Sequence, residues 1–130
     1  MKIMLSFVIL LFVISSIIHA DNLDLSWEWT KEDILLQSVY ITLSLADYLQ
    51  TRTEAESGWK KFREANGFME EHPTVAELDA FFFPVLLSSI ALSNIIPHPL
   101  RNTFLVTIIN GRASIVINNH NIGARINLKF

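Results

Sequence analysis

The sequence contains no cysteine. Disulfides, CxxC zinc sites and thiol redox chemistry are therefore excluded, and any fold must be held by packing and polar contacts. Acidic residues are confined to one part of the chain. All thirteen lie between Asp21 and Asp79, whereas residues 80–130 carry only Arg101, Arg112, Arg125 and Lys129. There is no clustered excess of Lys and Arg, and the net charge is -3. Phosphate recognition needs a basic patch, so nucleic acid is not an expected partner. No G-x-S-x-G sequence frames a nucleophile. Glu70, Glu71 and His72 are consecutive and do not converge on one ion without help from elsewhere, so neither a metal site nor a cofactor is expected.

Apolar residues are plentiful: 51% of the chain is hydrophobic and 18% charged, above the apolar share of an ordinary soluble domain. Ala80 to Leu100 runs twenty-one residues without a charge, and about 20 helical residues suffice to cross a hydrocarbon core. Ile3 to Ala20 is likewise free of Asp, Glu, Lys and Arg, preceded by Lys2 and ending in Ile18-His19-Ala20. Residues 1–20 read as a secretory signal peptide, with an uncleaved anchor as the alternative. Residues 21–130 then form a single helical membrane domain.

Within it, Trp27 and Trp29 precede an apolar segment as an interfacial belt does. Thr30 and Asp33 have capping-box spacing, and Ile34 to Leu49 follows without Gly or Pro, predicting a helix. At about 100° per residue, Gln37, Ser44, Tyr48 and Thr51 form a stripe with Asp47 at its edge, and Leu35, Leu36, Val39, Leu43 and Leu45 cover the rest. Residues 52–79 read as a water-facing loop, with Gly58, Gly67 and Pro73 as breakers. Thr74 and Glu77 form a second capping box, so the next helix should start near Val75, contain Pro84, and end near Ile96. For the last segment the residues alone lean to a β-hairpin, since β-branched runs flank Asn110-Gly111. The competing reading is a third helix from Asn102 to about Asn118.

The loop carries Arg52, Lys60, Lys61 and Arg63, which places it in the cytoplasm by the positive-inside rule and the chain in a bacterial inner membrane. The expected partners are the lipid bilayer and, within it, further copies of the chain or other membrane proteins.

Asp47-Tyr48-Leu49-Gln50-Thr51-Arg52, Glu64-Ala65-Asn66-Gly67 and Glu71-His72-Pro73-Thr74 together resemble a group of small uncharacterised bacterial and phage-encoded membrane proteins. In that group a D-x-x-Q-T-R helix end precedes E-x-N-P and then H-P-S or H-P-T. The family's N-P is Asn66-Gly67 here. The resemblance implies a helical membrane protein with a third helix in place of the hairpin, and it brings no activity with it.

The fold class expected is thus mainly α: a small helical transmembrane bundle of two or three spans, with a C-terminal β-hairpin as the alternative ending. The reading leans away from an enzyme, towards an integral membrane protein that acts through helix association in the envelope. The alternative is a membrane-embedded enzyme or ion-binding protein, its polar cluster drawn from Asp47, Gln50, Thr51, Glu64, Asn66 and His72. An ionisable group within a membrane segment needs a partner or an aqueous path, and Arg112, if helical, is the counter-ion for Asp47. Ser89 and Ser93, four apart, permit close helix packing.

Overall fold

A computed structural model describes residues 26–60, 69, 72–98, 100–124 and 126. The signal or anchor segment, Glu64, Asn66, Glu70, Glu71 and the last four residues lie outside these. Three helices follow one another: α1 (Lys31–Glu56), α2 (Val75–Ile95) and α3 (Leu100–Asn121).

The two capping boxes start α1 and α2. The Thr30 hydroxyl accepts from the Asp33 backbone N–H (3.1 Å) and the Asp33 carboxylate accepts from the Thr30 N–H (3.1 Å). Thr74 and Glu77 do the same for α2. Each box satisfies N–H groups that have no partner within the helix. α1 extends about two turns beyond the expected end at Leu49 and absorbs residues 52–56, which the sequence reading placed in the loop. The Arg52–Glu56 pair, Nε to Oε1 at 2.9 Å one turn apart, supports this extension. The helix stops where Gly58 (φ 77°) and Trp59 (φ 55°) turn left-handed, and the Trp59 N–H returns to the Glu54 carbonyl at 2.9 Å.

The C-terminal segment is a helix, and the β-hairpin alternative is corrected. Asn110-Gly111 lies inside α3, and Gly111 does not take the positive φ that a two-residue hairpin turn would require. Helical spacing is favoured because it brings Arg101, Leu105, Arg112 and Asn119 onto the side facing α1. Alternation with period two would have divided them between two faces. Gly123 (φ 96°) ends α3, and Ala124 N–H bonds to the Asn119 carbonyl at 2.8 Å. Among the described residues there is no strand, only an isolated antiparallel bridge between Ser26 and His98.

α3 packs chiefly on α1. The two run parallel, since Arg101 meets Asp33 and Arg112 meets Asp47. α2 runs antiparallel to both, with Ser93 near its end bonded to Gln37 and Phe82 near its start stacked on Tyr48. Tyr40, Tyr48, Phe82 and Leu86 form the apolar core.

The burial pattern is inverted relative to a soluble domain. Asp33, Gln37, Ser44, Asp47, Gln50, Glu54, Ser93 and Arg101 are buried, whereas Ile34, Leu35, Leu45, Leu87, Ile95 and Ile117 are exposed. In a water-soluble protein a buried polar group or a broad exposed apolar surface each calls for explanation; both occur here along the same helices. One described helix, α2, is long and apolar enough to cross a membrane.

Candidate functional site

The buried polar side chains of α1 sit at 33, 37, 44, 47, 50 and 54, spacings of three, four and seven that keep them on the side turned to the other helices. That face turns inward to α2 and α3, and its contacts fall into two ion-paired groups with a neutral stretch between.

The upper group centres on Arg101, whose side chain is fully buried together with that of Asp33. Its Nη1 donates to Asp33 Oδ2 at 3.0 Å and to the Glu28 carbonyl at 3.1 Å. Nη2 donates to the Trp27 carbonyl at 3.1 Å, and Nε to the carbonyls of Ser93 (2.8 Å) and Ile96 (3.1 Å). The guanidinium lies 4.5 Å over the Trp29 ring. One side chain thus ties the segment before α1, the end of α2 and the start of α3. The planar fork of arginine suits this divergent set of acceptors, which a lysine ammonium would not span. His98 Nδ1 lies 3.2 Å from both Asp33 oxygens. Asp33 precedes the apolar stretch that begins at Ile34. Burial pushes its carboxyl up, but hydrogen bonds from the Thr30 backbone, His98, Arg101 and the Thr30 hydroxyl outweigh this and hold it below its ordinary value.

The lower group centres on Asp47. Arg112 Nη1 donates to its Oδ2 at 2.5 Å and Asn119 Nδ2 to its Oδ1 at 3.0 Å, so each carboxylate oxygen has a partner. The Arg112 guanidinium also lies 5.9 Å over the Phe82 ring. Gln50 Nε2 reaches the Val116 carbonyl at 3.5 Å. Beside this, Arg52 Nη1 donates to the Tyr48 hydroxyl at 2.6 Å, and that hydroxyl donates to Asp79.

The structure therefore brings Asp47, Gln50, Arg112 and Asn119 to one place. Thr51 is half-buried on the same helix. His72 is not brought there: it is exposed, with its ring 6.0 Å from Trp59, whose Nε1 donates to the Pro73 carbonyl at 2.9 Å. The described contact of His72 is thus with Trp59 and not with Asp47. Glu64 and Asn66 lie outside the described residues. No group of three or more His, Cys, Asp or Glu able to hold a metal occurs among the described residues.

Between the two groups, Ser93 Oγ lies 2.7 Å from both Gln37 Oε1 and the Ile90 carbonyl of its own helix, whereas Ser89 Oγ donates to the Val85 carbonyl of its own helix at 2.9 Å. The two serines thus differ in role: Ser93 is an α1 contact and Ser89 is half-buried. Ser93→Ala should lower stability by about 1 kcal/mol, the net worth of one hydrogen bond, with Gln37 left under-satisfied. Ser89→Ala should leave it unchanged. Thermal unfolding of both variants under the same conditions checks the difference, and equal effects would contradict it.

The Asp33–Arg101–His98 group was not singled out from the sequence. Asp33 read as a cap and Trp29 as an interfacial anchor, and Arg101 only as one of the four basic residues of 80–130. The available signal was that Arg101 stands directly after an uncharged run, without an acid near it in sequence. Glu54, buried on α1, was likewise read as part of a solvated loop.

Comparison with protein-family models, with curated proteins and with solved structures found no match.

Proposed function

We propose that the chain is a non-enzymatic integral membrane protein, a three-helix bundle with a polar interior that presents an apolar exterior to lipid and to neighbouring membrane proteins. The observation that carries this reading is the inversion of burial on α1, where Asp33, Gln37, Ser44, Asp47, Gln50 and Glu54 are buried and Ile34, Leu35, Val39 and Leu45 are exposed, with Leu, Ile or Val exposed on α2 and α3 as well. In hydrocarbon, polar side chains must find partners within the protein, and the two ion pairs between α1 and α3 supply them. Asp47 has both oxygens occupied and Arg101 is fully committed to acceptors, an arrangement suited to holding helices together and not to turning over a substrate. Association with further copies or with other envelope proteins is then the mode of action.

The D-x-x-Q-T-R resemblance fits this proposal, since Asp47 and Gln50 are among the α1 residues that hold α3. We place the connection between α1 and α2 on the cytoplasmic side of a bacterial inner membrane, on the strength of Arg52, Lys60, Lys61 and Arg63.

A tagged full-length chain should remain in the pellet on carbonate washing of membranes. Protease added to the outside of intact cells lacking an outer membrane should spare residues 57–74, and cleavage there should follow lysis. Release by carbonate would refute the membrane reading. Asp47→Asn and His72→Ala test the alternative. Retention of wild-type cellular behaviour by both excludes a polar active site, and loss with intact insertion would support one.

A further inference from the structure

The outward side of α3 departs from the apolar exterior of α1 and α2. Thr103, Thr107, Asn110, Gly111, Ser114 and Asn118 are all exposed. At 3.6 residues per turn they fall within an arc of about 100°, on the side away from Arg101, Leu105 and Arg112, which face α1. Apolar side chains flank this arc, with Val106 and Ile117 along one edge and Ile115 along the other.

Two residues of the face are not explained by a single chain. Asn110 is the eleventh of the 22 residues of α3, so it stands about 15 Å from either end of the helix, near the middle of a hydrocarbon core. Its backbone carbonyl accepts from Ser114 Oγ at 2.9 Å, but its side-chain amide has no hydrogen-bond partner among the described residues. Lipid tails offer an amide neither donor nor acceptor. Gly111 weakens the helix relative to alanine, and a Cβ added there would meet nothing within 4 Å. Packing within one chain therefore does not require it. With Thr103 and Thr107 two turns and one turn before it, Gly111 completes the small-x-x-x-small spacing that lets the backbones of two membrane helices approach closely.

We propose that this face of α3 binds the same face of a second copy, with Asn110 of one protomer against Asn110 of its partner. An amide both donates and accepts, so it is complementary to itself. Copies insert in one orientation, and a two-fold axis along the membrane normal brings equal residues together at equal depth. Any other occupant must bring its own polar group to that depth. Residues 3–20 of the same chain hold no Asn or Gln. The face itself carries no charge, so like charges do not oppose the pairing.

This inference rests on the membrane reading, and its test separates the two. The chain has no cysteine, so each introduced thiol is unique. Full-length Thr107→Cys and Ser114→Cys, oxidised with copper phenanthroline in cell membranes, should give disulfide-linked dimers. Leu35→Cys on α1 and Leu87→Cys on α2, each 63% exposed, should stay monomeric. Adding Asn110→Leu should reduce cross-linking of Thr107→Cys. In detergent, Asn110→Leu and Gly111→Leu should each weaken the monomer–dimer equilibrium about tenfold by analytical ultracentrifugation, with circular dichroism unchanged. Equal cross-linking from all four sites, none from any, or dimers unaffected by both leucine variants would overturn the dimer while carbonate-resistant protein keeps the membrane reading. Two further results would do the same: labelling of Thr107→Cys by a membrane-impermeant maleimide, which shows a wet face, and a protected Thr107→Cys in a monomer, which shows another occupant. Release by carbonate would overturn both.

Discussion

Replacing Arg101 with methionine should be among the most damaging single substitutions in the chain, costing about 3–5 kcal/mol, the range for breaking a buried pair by removing one partner. Methionine fills similar volume without a charge, so packing is retained and the loss isolates the guanidinium. Asp33 would remain a buried carboxylate with His98 alone across from it, and the carbonyls of Trp27, Glu28, Ser93 and Ile96 would lose their donor. Asp33→Asn should cost less. Asparagine still accepts from Thr30, and Arg101 keeps its four carbonyl contacts. Arg101→Lys should resemble Arg101→Met more than wild type, because a point ammonium cannot serve acceptors on two sides at once. Circular dichroism melts in one detergent rank the three variants. If Asp33→Asn proved worse than Arg101→Met, the carboxylate and not the carbonyl set would be what holds this junction together.

The Asp47–Arg112 pair should behave differently in a double-mutant cycle. Asp47→Leu strands the guanidinium and Arg112→Leu strands the carboxylate, each at a cost of about 3–5 kcal/mol. Joint replacement, Asp47→Leu with Arg112→Leu, should recover most of the loss, since apolar residues of similar size often replace a buried pair without penalty. Asn119 would lose one acceptor and move towards the helix end. Unfolding of the two single variants and the double variant under identical conditions gives the coupling. A double variant as unstable as the sum of the singles would show that the pair contributes more than mutual neutralisation.

How much of this was legible follows from where each signal resides. Capping boxes are local, and Thr30 with Asp33 and Thr74 with Glu77 placed the starts of α1 and α2 within a residue. The inner stripe of α1 was also visible, because helical periodicity depends on one segment only. The far end of α1 was misplaced because Arg52, Glu54 and Glu56 look like loop residues by composition; their helicity depends on the Arg52–Glu56 pair and on Glu54 being covered by the fold. Asn110-Gly111 misdirected the residue-level reading of α3. A turn propensity of one dipeptide competes poorly with the need to bring Arg101 and Arg112 to carboxylates on the same side. The meeting of Arg112 with Asp47 could be suggested by charge bookkeeping alone, since residues 80–130 hold no acid. The Arg101 junction could not, because most of its acceptors are backbone carbonyls, which every sequence possesses.

Both carboxylates of the interhelical pairs ride on α1 and both guanidinium groups on α3. Sliding α3 by one turn would part both pairs together, so no intermediate register keeps half of the benefit. The two helices mesh like a two-toothed key in its lock, with a single seated position. Neither helix has its buried charge paired before the other arrives. The segment made last therefore decides when the segment made first is finished.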